Sequence, residues 1–298
     1  MKMSRRTDLA LEEKEIYEES VGKTTELPGV LAREGEREGI SVTLVRILDE
    51  QGEQALHKPA GAYLTLDLLP LRRREQDAFQ RAARTLGEEL RSLMDLKPGM
   101  SVLVAGLGNR AVTPDAVGPK ALDHLLITRH LVKQAPTFFS EYRPVAAIAP
   151  GVLGITGLES AEVIQGVAAQ IKPDCMIVVD ALAARSLDRV CTTIQLTDTG
   201  IVPGSGIHNA REAFDHKRFG FPVYAVGVPT VVDVDTLFED FSLDTAAGTS
   251  KERKSGPLIV TPRDVDAQVD QIAKLVAYGV NLALHEGLDI EDIAYFVE

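Results

Sequence analysis

Ser101-Val-Leu-Val-Ala-Gly-Leu-Gly-Asn-Arg-Ala-Val-Thr-Pro-Asp115-Ala-Val-Gly-Pro119 is the stretch that decides the fold. Ser101 to Ala105 is a short apolar run bounded by turn signals, as expected of a strand covered on both faces. A glycine-rich loop follows. Gly118-Pro119 then opens a helix expected to reach about Leu131, since proline suits the first helical position. The same order of strand, loop and helix repeats downstream. Val145 to Ala149 reads as a second strand, and Thr156 with Glu159 as a capping box before a helix to about Ile171. Cys175-Met-Ile-Val-Val-Asp180 is a third buried strand, Thr192 to Leu196 a fourth and Val223 to Val228 a fifth. Thr261-Pro-Arg-Asp264 precedes a last long helix striped by Val265, Val269, Ile272, Val276 and Val280. Alternating elements with nearly all-apolar strands predict an α/β fold, with a mostly parallel central sheet flanked by helices on both faces.

On the N-terminal side, Ile40 to Ile47 and Ala62 to Asp67 alternate or run β-branched, as strands do. Phe79, Ala83, Leu86, Leu90 and Leu93 predict an amphipathic helix over residues 75–95, which Lys97-Pro-Gly99 ends. Residues 1–38 are dense in charge, with Glu12, Glu13, Lys14, Glu15, Glu18 and Glu19 close together, and read as a solvated, partly helical leader. Leu243 to Gly256 is polar and glycine-bearing, a loop. No internal repeat is visible, so one domain with a leader is expected.

Composition narrows the function. The 298 residues are 45% hydrophobic and 26% charged, which excludes wholesale disorder. A net charge of −12, 5% aromatics and no tryptophan argue against direct nucleic-acid binding. No apolar run approaches the roughly 18 residues of a membrane span, and no signal peptide follows the basic Met1 to Arg6. Two cysteines, Cys175 and Cys191, make no disulfide framework and read as small buried hydrophobes. A cytoplasmic protein is expected.

Several residue groups bear on chemistry. Gly106-Leu-Gly108-Asn-Arg-Ala111 fits the dinucleotide fingerprint, but Val112-Thr-Pro-Asp115 keeps the helix from starting on the glycines and puts a carboxylate where a phosphate would lie. Asp115 in the loop after the first parallel strand and Asp180 at the end of the third would share the sheet's carboxyl edge. Two close carboxylates cannot easily both ionise, so one holds a proton while the other acts as a base, an arrangement suited to activating water against a peptide bond. Spacing alone fits better a loop Asp capping a helix and an end-of-strand Asp bonding backbone amides. Asp198-Thr-Gly200 is the tripeptide of pepsin-like proteases, but those are all-β and need two such loops; here it reads as a turn into Pro203-Gly-Ser-Gly206. Ser205 is not in a G-x-S-x-G elbow. The six histidines show no H-E-x-x-H, and a metal site from Asp115, Asp180 and His208 stays open.

Taken in order, Gly106-Leu-Gly-Asn109, Val112-Thr-Pro-Asp115, Gly118-Pro119, Thr128-Arg-His-Leu131, Pro150-Gly-Val152, Asp180-Ala-Leu-Ala-Ala-Arg185, Pro203-Gly-Ser-Gly206 and Pro229-Thr-Val-Val-Asp233 give a chain that resembles the germination protease family over nearly its whole length. The resemblance implies an endopeptidase, with a core like that of hydrogenase-maturation proteases, that degrades small acid-soluble spore proteins during germination. It implies a tetrameric zymogen in the forespore or spore core, self-processing, with no cofactor, no membrane and no direct nucleic-acid partner. The family's two proposed catalytic aspartates match Asp115 and Asp180, and Asn109, Arg185, Asp198, Ser205 and His208 are candidates for a substrate loop. Cleavage after an acidic residue, before a hydrophobic one followed by alanine, points to Asp8-Leu9-Ala10, with residues 1–8 as propeptide and 9–298 as a single peptidase domain. Arg5 departs from the acidic residue the family favours there, and the segment 234–260 is shorter than is usual in the family. The alternatives are a metallopeptidase with both aspartates as ligands, a dinucleotide-binding oxidoreductase using Gly106 and Gly108, and a non-catalytic binder of spore proteins.

Overall fold

The computed structural model describes residues 7–21, 27–207, 210–234, 236 and 258–297. Among them, nine strands form one sheet: β1 Val30–Arg37, β2 Ile40–Ile47, β3 Gly61–Asp67, β4 Val102–Gly106, β5 Val145–Ile148, β6 Cys175–Ala184, β7 Thr193–Thr197, β8 Val223–Asp233 and β9 Ile259–Val260. Their order is β1-β2-β3-β7-β8-β6-β4-β5, with β9 on β8. The longer helices are α1 Ala10–Val21, α2 Glu50–Leu56, α3 Ala78–Leu93, α5 Ser160–Ile171, α6 Val265–Leu284 and α7 Ile290–Val297, with a short α4 at Val117–Ala121.

The apolar runs fall on the two faces of the sheet by parity. Val102, Val104, Ile177 and Val179 pack with Leu86, Leu90, Val276 and Val280 of α3 and α6. Leu103, Ala105, Met176 and Val178 pack with Ala161, Ile164 and Ala168 of α5 on the other side. Each buried Leu, Ile or Val contributes about 1.5–3 kcal/mol relative to exposure, which is why these strands show no polar alternation. Both cysteines are buried thiols, as expected, and burial pushes each up to about 12.

The sheet is mixed rather than mostly parallel. β5, β4, β6 and β8 run parallel, while β7 is antiparallel to both β8 and β3, and β1, β2 and β3 form an antiparallel meander. β7 returns beside β8 after a short connection from β6, too short for the helical crossover a parallel neighbour needs.

The leader is also not what its charge suggests. β1 is an edge strand whose side chains are mostly exposed, so its Val-Leu-Ala-Arg-Glu-Gly-Glu-Arg sequence looks like a solvated tail although its backbone pairs fully with β2. Leu9 and Ala10 are wholly buried. Glu12 is buried too, its carboxylate accepting the N–H groups of Arg185 (2.7 Å) and Ser186 (3.0 Å).

Three local expectations shift. The helix opened by Pro119 lasts only to Ala121, followed by a 3-10 turn to His124 and a separate helix at Arg129–Gln134. The capping residue before α5 is Glu159, not Thr156; Glu162 reaches back to the Glu159 N–H at 3.0 Å. Strand β6 continues four residues past Asp180, because β8 runs beside it as far as Ala184↔Val232. The stretch Leu243 to Gly256 lies outside the described residues.

Candidate active site

β4 leads in the chain to β5 on one side, and the chain then crosses back to place β6 on the other side of β4. Their carboxyl ends therefore send connections in opposite directions and leave a crevice, where α/β sheets bind their ligands. Gly106 of β4 pairs with Val179, and the Leu107 N–H donates to the Val179 carbonyl at 2.8 Å. Asp180 thus lies one step beyond the end of β4, with Gly227 of β8 as its partner on the other side.

Asp115 reaches the same place from the loop after β4. Its backbone closes a 3-10 turn over Thr113–Asp115, and the Asn109 N–H donates to its carboxylate at 2.7 Å. The loop folds this tightly because of two glycines. At Gly108, with φ +108°, a Cβ would sit 2.0 Å from the Asp115 carbonyl oxygen. At Gly118 it would meet the Leu107 and Val179 carbonyl oxygens at 2.3 and 2.5 Å. Gly108, one of the two glycines that suggested a nucleotide fingerprint, and Gly118 instead allow backbone to approach backbone and bring the Asp115 turn against β6. The Thr230 hydroxyl on β8 ties the turn at the Pro114 carbonyl (2.6 Å), and the Thr113 hydroxyl ties it to Asp266 of α6 (2.6 Å).

Both carboxyls line one cleft of about 370 Å³, together with Asp8, Asn109, Arg211 and apolar residues including Val112, Leu153 and Ile259. Asp180 is 4% exposed and accepts only the adjacent Ala181 N–H, at 2.9 Å, among the described residues. Burial raises its pKa well above the ordinary carboxylate range; the neighbouring Asp115 and, less strongly, Asp8 push the same way. Burial also raises Asp115, but the Asn109 N–H opposes that by stabilising the anion. Burial raises both groups, Asp180 the more strongly and with the Asp115 charge adding to it, so Asp180 is the one that holds its proton further as pH rises.

The other candidates scatter. Asn109 is in the cleft and serves Asp115 through its backbone. Arg185 lines neither this cleft nor the one beside it; its guanidinium holds Glu19 of α1 at 3.1–3.2 Å. Asp198 accepts the Ala62 N–H at 2.8 Å, fixing the start of β3, and is likewise outside both clefts. Ser205 donates to Asp8 at 2.5 Å. His208, and with it the three-residue metal reading, lies outside the described residues; among those described, no cluster of three or more His, Cys, Asp or Glu is placed to hold a metal. Gly118 and Thr230 position Asp115 and were not singled out for that from sequence; a glycine and a hydroxyl inside recurrent motifs carry no chemical signal until their contacts are seen.

The fold places two carboxyls in one cleft at the switch point of an α/β sheet, where such sheets bind their ligands. The germination protease family model matches residues 7–246. Similar proteins include germination proteases of Caldanaerobacter subterraneus subsp. tengcongensis (44% identical, covering 95% of each chain), Clostridium tetani (42%, 98% of each) and Bacillus cytotoxicus (36%, 95% of this chain and 94% of the relative). The chain belongs to the germination protease family and is a protease of spore germination. No helix among the described residues is long and apolar enough to cross a membrane.

Proposed function

We propose that the chain is an endopeptidase in which Asp115 and Asp180 work as an acid–base pair on one water molecule. The observation that carries this is the shared cleft: two carboxyls from separate segments meet there, Asp180 almost wholly buried and Asp115 partly exposed with its carboxylate accepting the Asn109 N–H. Asp115, with Asn109 supporting its charge, is the base that takes a proton from the water. The water oxygen bonds to the scissile carbonyl carbon. Asp180, kept protonated by burial, gives its proton to the amide nitrogen as the C–N bond breaks, and the proton on Asp115 then returns to Asp180. The exposed Val112, Leu153 and Ile259 at the cleft give an apolar rim for a substrate's flanking residues.

The substrates are small acid-soluble spore proteins in the spore core, and the working form is a homotetramer. The chain is made as a zymogen of residues 1–8 joined to 9–298 and cuts itself between Asp8 and Leu9. Asp8's position in the cleft of Asp115 and Asp180 supports that site; Arg5 lies outside the described residues. The test is to incubate wild type, Asp115→Asn and Asp180→Asn and read the N-terminus and the cut sites in a small acid-soluble spore protein by mass spectrometry. Both variants stay folded, uncut and inactive on the proposal; full activity in either retires it.

A further inference from the structure

The two aspartates account for the protons of peptide hydrolysis but not for the negative charge that forms on the scissile carbonyl oxygen when water adds. That charge needs hydrogen-bond donors set in place beforehand. Besides the carboxyls, four side chains lining the cleft carry N–H or O–H groups: Asn109, Ser160, Arg211 and Thr230. Two of them are spent on backbone. Ser160 Oγ donates to the Gly151 carbonyl at 2.8 Å, and Thr230 Oγ1 to the Pro114 carbonyl at 2.6 Å. Arg211 leans toward Glu159, at 3.6 Å, with its side chain 40% exposed.

Asn109 is held differently. Its backbone N–H donates to Asp115 Oδ2 at 2.7 Å, its carbonyl accepts the Val112 N–H at 3.0 Å, and its side-chain oxygen accepts the Ala111 N–H at 3.0 Å. The last of these closes an Asx turn, which fixes the side chain's orientation. It also settles which end of the amide is which, because only the oxygen can accept an N–H. The Nδ2 group is left as a donor with no partner among the described residues, on the residue whose backbone holds Asp115. A water activated by Asp115 and a donor on Asn109 therefore reach a bound peptide from one loop, so that the carbon under attack and its oxygen are served together.

We propose that Asn109 is a third catalytic residue, whose Nδ2 donates a hydrogen bond to the scissile carbonyl oxygen as it becomes an oxyanion. This rests on the endopeptidase reading. As the water oxygen bonds to the carbonyl carbon, a water proton passes to Asp115 and the carbonyl π pair moves onto oxygen, where the Nδ2–H group meets it. When the C–N bond breaks, that electron pair re-forms the C=O bond and the leaving nitrogen takes the Asp180 proton. A neutral, preset donor of this kind stabilises the transition state more than the bound substrate, and it leaves the charges of the carboxyl pair as they are.

The experiment compares full chains of wild type, Asn109→Ser and Asn109→Ala on a labelled spore-protein peptide. Each N-terminus is read by mass spectrometry, so that chains in the same processing state are compared. Serine keeps an oxygen to accept the Ala111 N–H, but its hydroxyl ends short of the place of Nδ2; both variants keep the backbone N–H to Asp115. In both, kcat falls about 10²–10³-fold while KM stays within about threefold. A phosphinate peptide, which mimics the tetrahedral adduct, loses affinity by a similar factor, whereas a reduced-amide peptide without the carbonyl oxygen binds as to wild type. The infrared titration of Asp180 is the same in Asn109→Ser as in wild type. A wild-type rate in Asn109→Ser, with loss only in Asn109→Ala, makes Asn109 a prop of the loop and overturns the proposal. A fall confined to KM, or a slowed Asn109→Ser in which the Asp180 titration has moved, overturns it too. Loss in Arg211→Gln with none in Asn109→Ser gives the oxyanion to Arg211 instead. A wild-type chain that leaves every peptide whole retires the endopeptidase reading and the donor role together; if wild type cleaves, an Asn109→Ser of equal rate removes the donor role alone.

Discussion

Replacing Gly118 with alanine perturbs the catalytic pair without touching either carboxyl. The added Cβ would sit 2.3 Å from the Leu107 carbonyl oxygen, 2.5 Å from that of Val179 and 2.6 Å from the Leu107 nitrogen. All three are backbone atoms of β4's end and of β6, so no side chain can swing away. The α4 segment must move off by about 1.1 Å, the gap between 2.3 Å and the 3.4 Å at which ordinary contact begins. The Asp115 turn, tied to α4 by the Lys120 N–H to Ala116 carbonyl bond, moves with it. Overpacking of this kind costs about 1–3 kcal/mol, or a melting-point drop of roughly 2–4 °C per kcal/mol. A displacement near 1 Å in a catalytic group costs on the order of 10²-fold in rate. Gly166→Ala is the control: it lies on the exposed side of α5 with nothing within 4 Å of the new methyl, and should leave activity unchanged while adding up to about 1 kcal/mol of helix stability. Spore-protein cleavage and thermal melts are measured side by side. A Gly118→Ala protein with wild-type rate and melting point would refute the idea that this contact sets the geometry of the pair.

Asp180→Asn should lower cleavage by about 10²–10⁴-fold, or roughly 3–5 kcal/mol in the barrier. Because the native carboxyl's pKa is raised, its contribution to stability is present at low pH and is lost as pH rises through the folded value; the variant should therefore gain stability over wild type as pH rises, as read by urea melts. Glu13 of α1 is raised to about 7, chiefly by burial, so it favours folding below about 4.5 and ceases to as pH climbs through about 7; Glu13→Gln should flatten the pH dependence of hydrogen exchange in α1 over that window. His285 is held neutral by burial, with its pKa lowered to about 4. The unfolded chain takes up a proton between about 6.5 and 4 that the native state refuses, so wild type loses stability across that range and His285→Phe should lose less.

The parts of this fold legible in the sequence are those where a single physical demand acts on the residues. β4 and β6 are covered on both faces and must be apolar throughout, so Val102–Gly106 and Cys175–Val179 are legible, and with them Asp115 in the loop after the first and Asp180 closing the apolar run of the second. Strand direction left no such trace. The Thr-Ile-Gln-Leu-Thr of β7 is buried whether it runs parallel or antiparallel, and only the connection length distinguishes the two. β1 was masked by its exposure at the sheet's edge, and the short α4 by the apolar Leu125–Ile127 that continues its pattern after the helix ends. The convergence of Asp115 and Asp180 could be argued from topology, but the means of convergence is backbone packing at Gly108, which reads as part of a nucleotide loop, and at Gly118, which reads as a helix start, until the contacts are known. Docking of the N-terminal segment depends on partners 166 to 197 positions away and has no local signature.

Infrared titration of isotopically labelled aspartate carboxyls, in wild type and in Asp115→Asn, puts the acid–base pair to the most direct trial. One carboxyl, assigned to Asp180 by its absence in Asp180→Asn, should hold its proton well above the range of free aspartate and release it at lower pH once Asp115 is neutral. If instead Asp180 ionises in the ordinary range, or titrates identically with and without the Asp115 charge, the two acids do not share a site and the mechanism built on them fails.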